Sequence, residues 1–213
     1  MYNPIISALL KIKVFLMSSM QGKSYVIGVC GASCSGKTTV CEEIVKIVTS
    51  IFKSSANAIC VISQDNYYKG GNADTNYDVV EAVDFELLTN HVEKLVDGKI
   101  VEVPMYDFAT HSRKKETQVT GPSKIIIVEG ILIFANENIR KLCNLKIFVE
   151  ADPVVCYTRR LKRDVQERGR TFEEVEQRYI RDVIPSFLNY IEPVRFHVDV
   201  SLINNSTNKN FIG

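Results

Sequence analysis

The chain has 213 residues, of which 46% are hydrophobic and 24% charged, with a formal net charge of +1. That length suits one globular domain with a substantial core and room for a small appended subdomain. The near-neutral balance provides no bulk basic field, so neither nucleic acid nor a membrane is expected as a partner. Six cysteines, at 30, 34, 41, 60, 143 and 156, form no C-x-x-C pair. Four lie in or beside apolar runs, which predicts reduced, buried thiols and a cytoplasmic setting. Only three histidines occur and none is near a cysteine pair, which argues against a zinc site.

Residues 1–23 read as an N-terminal extension without an assigned role. Ile5 to Met17 is apolar, but Lys11 and Lys13 interrupt it and it is too short to span a bilayer. Next, Tyr25-Val26-Ile27-Gly28-Val29-Cys30 reads as a buried strand. Gly31-Ala32-Ser33-Cys34-Ser35-Gly36-Lys37-Thr38 then fits G-x-x-x-x-G-K-[ST], the loop that wraps a nucleotide's phosphates. Val40, Ile44, Val45, Ile47 and Val48 recur at helical spacing behind it. Glycines let backbone N–H groups approach the phosphates, and the helix N-terminus adds its positive end. Lys37 is expected on the β- and γ-phosphates and Thr38 on Mg²⁺, with Thr39 completing the phosphate-binding set.

Further apolar runs at 58–63, 124–129, 145–149 and 198–203 alternate with helical patterns at 37–53, 81–97, 152–168 and 171–190. Strands alternating with helices predict an α/β fold, a five-stranded parallel sheet covered on both faces. One segment breaks the alternation. Residues 100–104 and 116–119 alternate apolar with polar and flank an irregular polar stretch, which predicts a two-stranded excursion over about 98–122.

Four constellations carry chemistry beyond the loop. Asp65 ends the second apolar run, where open α/β sheets place ligands; a carboxylate there can take the proton of an attacking hydroxyl and help hold the metal. Glu129 ends the run Ile125-Ile126-Ile127-Val128, the position of a second metal-side acid. Tyr106-Asp107-Phe108-Ala109-Thr110-His111-Ser112-Arg113 mixes rings with polar groups, which suits a planar polar ligand. Arg159 to Arg170 contains six basic residues in twelve. A solvated helix face with i,i+4 pairs such as Arg160–Asp164 and Arg163–Glu167 is one reading. Gly169, followed at once by Arg170, favours the other: a lid over about 156–172 that closes on phosphates.

Taken in order, these residues resemble the uridine-cytidine kinase family. The segments that carry the resemblance are Ser63-Gln64-Asp65-Asn66-Tyr67-Tyr68, Tyr106 to Arg113, Val128-Glu129-Gly130-Ile131 and Glu167-Arg168-Gly169-Arg170. The resemblance spans about residues 24–200 and implies a phosphate-loop kinase domain over 24–205, with 206–213 as a tail. It implies γ-phosphoryl transfer from ATP or GTP, with Mg²⁺, to the 5′-hydroxyl of uridine or cytidine. It also implies roles. Asp65 would be the base, working with Lys37, Arg163 and Arg170. Asp78 would grip the ribose hydroxyls. Tyr68, Tyr106, His111, Arg113, Arg160, Arg170 and Arg178 would meet the nucleoside, and Arg168 the phosphates. Thr38, Glu129 and Asp65 would hold the metal. A homo-oligomer, a tetramer in the family, is implied as well.

Three departures from the family pattern stand out: Cys34 in the loop, Arg178 where the spacing places a glutamine, and Asn204-Asn205-Ser206-Thr207 near the C-terminus. Two other functions compete with this one. A kinase of another small alcohol, phosphoribulokinase-like or pantothenate-kinase-like, would suit an added arginine. A guanine-nucleotide switch would need Asn-Lys-x-Asp, and the only Asn-Lys reads Asn208-Lys209-Asn210-Phe211.

Overall fold

The computed structural model describes residues 24–51, 58–72 and 74–205. The proposed 1–23 extension and 206–213 tail lie outside the described residues. Five strands, β1 (Tyr25–Gly31), β2 (Ile59–Ser63), β5 (Ile125–Glu129), β6 (Leu145–Glu150) and β7 (Val200–Ile203), form one sheet in the order β2-β5-β1-β6-β7. Every pairing in it is parallel. β1 sits at the centre and is buried along its whole length. That explains its unbroken apolar run, because both faces of a central parallel strand are covered.

Alternation along β1 divides the core in two. Val26 and Cys30 join a cluster with Leu88, Val92, Phe134 and Phe148. Tyr25, Ile27 and Val29 face Val40, Ile44 and Val48 of α1 (Lys37–Ile51). α2 (Phe85–Val96) covers the first face and buries Phe85, Leu88, Val92 and Leu95 at helical spacing. It begins later than the expected 81–97. Asp84 accepts from the Leu87 amide as N-cap, and Val80–Ala82 forms a separate 3₁₀ turn. A short helix, α3 (Glu137–Leu142), capped by Asn136, escaped the sequence reading. Six residues offer too few turns for a periodic signal.

The excursion is an antiparallel hairpin of β3 (Val101–Asp107) and β4 (Ser112–Thr120). It is longer than the alternation at 100–104 and 116–119 suggested. Tyr106 pairs with Arg113 and Asp107 with Ser112, so the polar segment forms the tip of the hairpin itself.

Helix α4 (Pro153–Arg168) starts at the Asp152 N-cap and ends where Gly169 adopts a left-handed conformation at φ 64°. That is the stop a glycine allows. After Thr171, whose side chain forms a capping box with Glu174, α5 (Phe172–Arg178) runs into π-helical turns at Tyr179–Val183 and Phe187–Ile191. The predicted helix over 171–190 is therefore continuous but not uniformly α-helical. Pro185 lies in the intervening α-helical turn Ile184–Ser186, where its missing N–H perturbs the ordinary ladder. Among the described residues, no helix is long and apolar enough to cross a membrane.

Candidate active site

The glycine loop leaves the carboxyl end of β1, the end at which open parallel sheets bind ligands. Its shape is held from outside. Arg159 Nη1 donates to the carbonyls of Cys34 (3.2 Å) and Ser35 (3.4 Å), and its Nη2 donates to the Asn204 carbonyl and Oδ1 at 3.2 Å. Buried Asn204 donates Nδ2 to the Ser35 carbonyl at 2.8 Å. Gly36 is forced by this clamp. Its φ is +100°, and a Cβ there would lie 2.0 Å from Asn204 Nδ2. Cys34 also takes a positive φ, 63°, unusual for a side chain other than glycine. Lys37 is buried, and its ammonium donates to the Ala32 carbonyl at 2.9 Å, within the loop it is expected to serve.

Two carboxylates stand beside the loop. Ser63 and Glu129 are register partners at the ends of β2 and β5, and the Ser63 hydroxyl donates to Glu129 Oε1. The same hydroxyl accepts from the Asp65 amide at 3.3 Å as N-cap of the 3₁₀ turn Gln64–Tyr67. That turn is anchored by buried Gln64, whose Oε1 accepts from the Leu132 amide at 2.8 Å. A Cβ on Gly130 would meet the Gln64 side chain at 2.4 Å, so glycine is required there. Burial raises the pKa of Glu129, and the neighbouring Asp65 raises it further, while Lys37 and the Ser63 hydrogen bond oppose both. Two acids crowded together at a phosphate loop call for a cation.

Mg²⁺ fits here. Thr38, Asp65 and Glu129 line one cleft, and the described residues hold no cluster of three or more acidic, histidine or cysteine ligands. A metal that keeps most of its water and binds chiefly to phosphate needs no such cage.

The cleft has a volume of about 470 Å³, within the range of small-molecule sites. Beyond Asp65 it is walled by Tyr68, Tyr77, Asp78, Tyr106, Phe108 and His111. Tyr77 and His111 stack with ring centroids 5.6 Å apart and planes 10° from parallel. Tyr106 stands edge-on to Tyr68 at 5.4 Å and to Phe108 at 5.3 Å. The Tyr106 hydroxyl is buried, and the Tyr77 ring stands edge-on to its own with centroids 6.3 Å apart. Asp78 is driven to a raised pKa chiefly by burial, which the nearby Arg160 opposes. His111 is held below its ordinary pKa by burial and by Arg178 and Arg170, which favours its neutral form.

The arginine-rich helix forms the remaining wall. Arg160, Arg163, Arg168, Arg170 and Arg178 all line the cleft. Arg160 Nη1 donates to Ser33 Oγ at 3.1 Å, which puts it against the loop as well as near Asp78. The Arg168 guanidinium lies over the Phe108 ring at 4.8 Å, so the helix end touches the hairpin tip. The solvated-face reading does not survive. Asp164 is wholly buried, and Arg163 pairs with it at 2.8 Å. Of the two suggested i,i+4 pairs, Arg160–Asp164 is present at 3.5 Å but buried, and Arg163–Glu167 is not among the ion pairs of the described residues. Asp164 draws in the helix face that water would otherwise hold.

The structure therefore brings Lys37, Thr38, Thr39, Asp65, Tyr68, Asp78, Tyr106, His111, Glu129 and the five predicted arginines to one cleft, with Arg159 as a sixth. It does not bring Arg113 there. That guanidinium donates to the carbonyls of Tyr68 and Tyr67, each at 2.9 Å, and pairs with Asp84 Oδ2 at 3.1 Å. Its place is structural, tying the hairpin to the Asp65 turn and the α2 cap. Of the loop, Ser33, Cys34 and Gly36 line the cleft, while Gly31, Ala32 and Ser35 lie behind it, Ser35 wholly buried. The sequence assigned no site role to Arg159, Asn204, Ser63, Tyr77 or Asp164, although Arg159, Ser63 and Asp164 stand inside the segments singled out above. Asp164 left the clearest signal, an acid amid six basic residues.

A parallel sheet with a clamped glycine loop at its carboxyl edge, facing acids and arginines, defines a phosphate-loop kinase. Residues 26–210 match the profile of the Phosphoribulokinase / Uridine kinase family, and the chain belongs to that family. It is 41% identical over 189 residues to the uridine kinase of Lactobacillus johnsonii, covering 85% of this chain and 87% of that protein. To the uridine kinase of Deinococcus deserti it is 37% identical over 194 residues, 88% and 91% of the two chains. Among solved structures, the D-glycerate 3-kinase of Cryptococcus neoformans superimposes with a TM-score of 0.63 at 16% identity, covering 95% of this chain and 93% of that one. A Bacillus stearothermophilus protein described as a "Possible Uridine Kinase" gives a TM-score of 0.62 at 18% identity over 93% and 97%. At those identities the likeness is one of fold alone.

Proposed function

We propose that this kinase transfers the γ-phosphoryl group of ATP or GTP to the 5′-hydroxyl of uridine or cytidine, forming UMP or CMP. The observation that carries the reading is one cleft with two unlike ends: Lys37 and Asp65 at the glycine loop, and Asp78 with the Tyr77, Tyr106 and His111 rings opposite. An ionised carboxylate accepts two hydroxyl protons at once, which suits Asp78 to a ribose diol. The rings suit a flat heterocycle, and the Tyr106 hydroxyl in the cleft wall supplies a polar contact at its edge. The relatives' names favour a nucleoside over the substrates of other family branches.

In this reading Lys37 leaves the Ala32 carbonyl for the phosphates. Asp65 accepts the 5′-hydroxyl proton as that oxygen attacks in line, and Arg163, Arg168 and Arg170 meet the charge on the moving group. Thr38, Asp65 and Glu129 would hold Mg²⁺, which neutralises phosphate charge when bound. Little covalent work falls to the protein, so positioning and field dominate. A panel of uridine, cytidine, ribulose 5-phosphate and pantothenate against ATP tests the reading. Turnover confined to the two nucleosides supports it; turnover of ribulose 5-phosphate or pantothenate in their place overturns it.

A further inference from the structure

Asp164 is the most heavily shared side chain in the molecule's described part. Its exposure is 0%, yet four guanidiniums converge on it. Arg163 Nε donates to Oδ1 at 2.8 Å and Arg168 Nη1 lies 3.3 Å from the same oxygen. Arg160 Nε and Arg170 Nη1 each stand 3.5 Å from Oδ2. At that distance the bonds are unmade: Oδ2 and Arg160 Nε are both buried without a hydrogen-bond partner among the described residues. The Asp164 backbone carbonyl also accepts from the amides of Gly169 and Arg170, which close the helix. One residue thus gathers the arginines by its side chain and fixes the glycine stop by its main chain.

The donor count is unbalanced. Each guanidinium offers five N–H groups, and a carboxylate has about four acceptor sites. All four arginines line the cleft, so donors that Asp164 does not take are available to a polyphosphate there. Asp164 stays ionised: burial would raise its pKa, but Arg163, Arg168 and Arg160 hold it below the usual carboxylate range. Its charge and an incoming phosphate compete for the same donors.

We propose that Asp164 is the positioning residue of the arginine wall: it aims four guanidiniums into the cleft as a unit and gives up part of their hydrogen bonding when a polyphosphate enters. The proposal rests on the phosphoryl-transfer reading above. It carries a signature that ordinary structural damage does not share. Freeing the arginines should strengthen polyphosphate binding while weakening catalysis, because an unaimed cation still attracts but no longer meets the transferring group.

The test is Asp164→Asn, with calorimetric titration of inorganic tripolyphosphate alongside ATP–uridine kinetics. We expect tripolyphosphate to bind about 3–10-fold tighter and kcat to fall about 10–100-fold. A tripolyphosphate affinity that is unchanged, or that falls together with kcat, overturns the proposal, as does a kcat within twofold of wild type. Asp164→Glu keeps the charge and shifts its position, and covers the case in which the amide variant does not fold. It should hold tripolyphosphate affinity near wild type while kcat drops several-fold, about 3–10-fold; weaker tripolyphosphate binding or unchanged kcat would contradict the assignment. The titration needs no acceptor. If the wild type phosphorylates no nucleoside, the acceptor assignment falls while the binding arm still judges Asp164.

Discussion

Ser63 and Glu129 face each other in register at the ends of neighbouring strands, and one hydroxyl joins them. The same oxygen receives the Asp65 amide, so a single small side chain sets both acids at the glycine loop. Ser63→Ala should therefore lower kcat about 10-fold through lost alignment, with the nucleoside KM changed less than about twofold. Stability should fall by about 1 kcal/mol, the ordinary worth of such a bond. Steady-state kinetics and a denaturant titration check both numbers.

Asp78 trades stability for binding. Its folded pKa is raised, mainly by burial, so folding favours the protonated form. That contribution is full below the unfolded pKa and is lost as pH rises through the folded value, leaving ionised Asp78 a burden at neutral pH. Asp78→Asn should raise the ligand-free Tm at pH 7, with the gain shrinking as pH falls toward 4, near the ordinary Asp pKa of about 3.9. The same change should cut kcat/KM for the nucleoside about 10–100-fold, since it removes a charged acceptor. Thermal melts across pH and acceptor kinetics read the two effects separately.

Arg178 lines the cleft near His111 and lowers its pKa. A guanidinium only donates, so it suits the carbonyl edge of uracil and opposes the amino group of cytosine, whereas glutamine can do either. The wild type should favour uridine about 10-fold or more in kcat/KM. Arg178→Gln should bring the ratio toward one, mainly by improving cytidine. Paired kinetics on the two nucleosides decide the matter, and equal use of both by the wild type would go against it.

Asn204 and Arg159 hold the back of the glycine loop. Asn204→Ala leaves the Ser35 carbonyl short of a donor and opens space beside Gly36. The ATP KM should rise about 3–10-fold with the uridine KM unmoved, and stability should drop about 1–3 kcal/mol. Acceptor and donor titrations, each at saturating partner, separate the two constants.

The sheet and the loop were legible because their signals are local. A central parallel strand must be apolar throughout, and Tyr25 to Cys30 is; the phosphate loop has a fixed spacing. Asp65 and Glu129 were readable from their places at strand ends. Arg113 misled because it sits within a polar, ring-bearing segment, and sequence does not show that the carbonyls of Tyr67 and Tyr68 claim it. Arg159 and Asn204 meet across 45 positions, beyond any periodic pattern. The π-helical turns after Arg178 depend on hydrogen-bond choices that composition does not record. Asp164 looked like one half of an exposed pair; only the folded arrangement shows four arginines turned onto it.

Phosphate transfer to uridine by wild type and Asp65→Asn, followed by chromatographic detection of UMP with uridine binding measured in parallel, tests the central claim most directly. The account predicts UMP from the wild type, a loss of at least about 100-fold in the variant, and a uridine Kd unchanged within about threefold. A variant that makes UMP at close to the wild-type rate would contradict it.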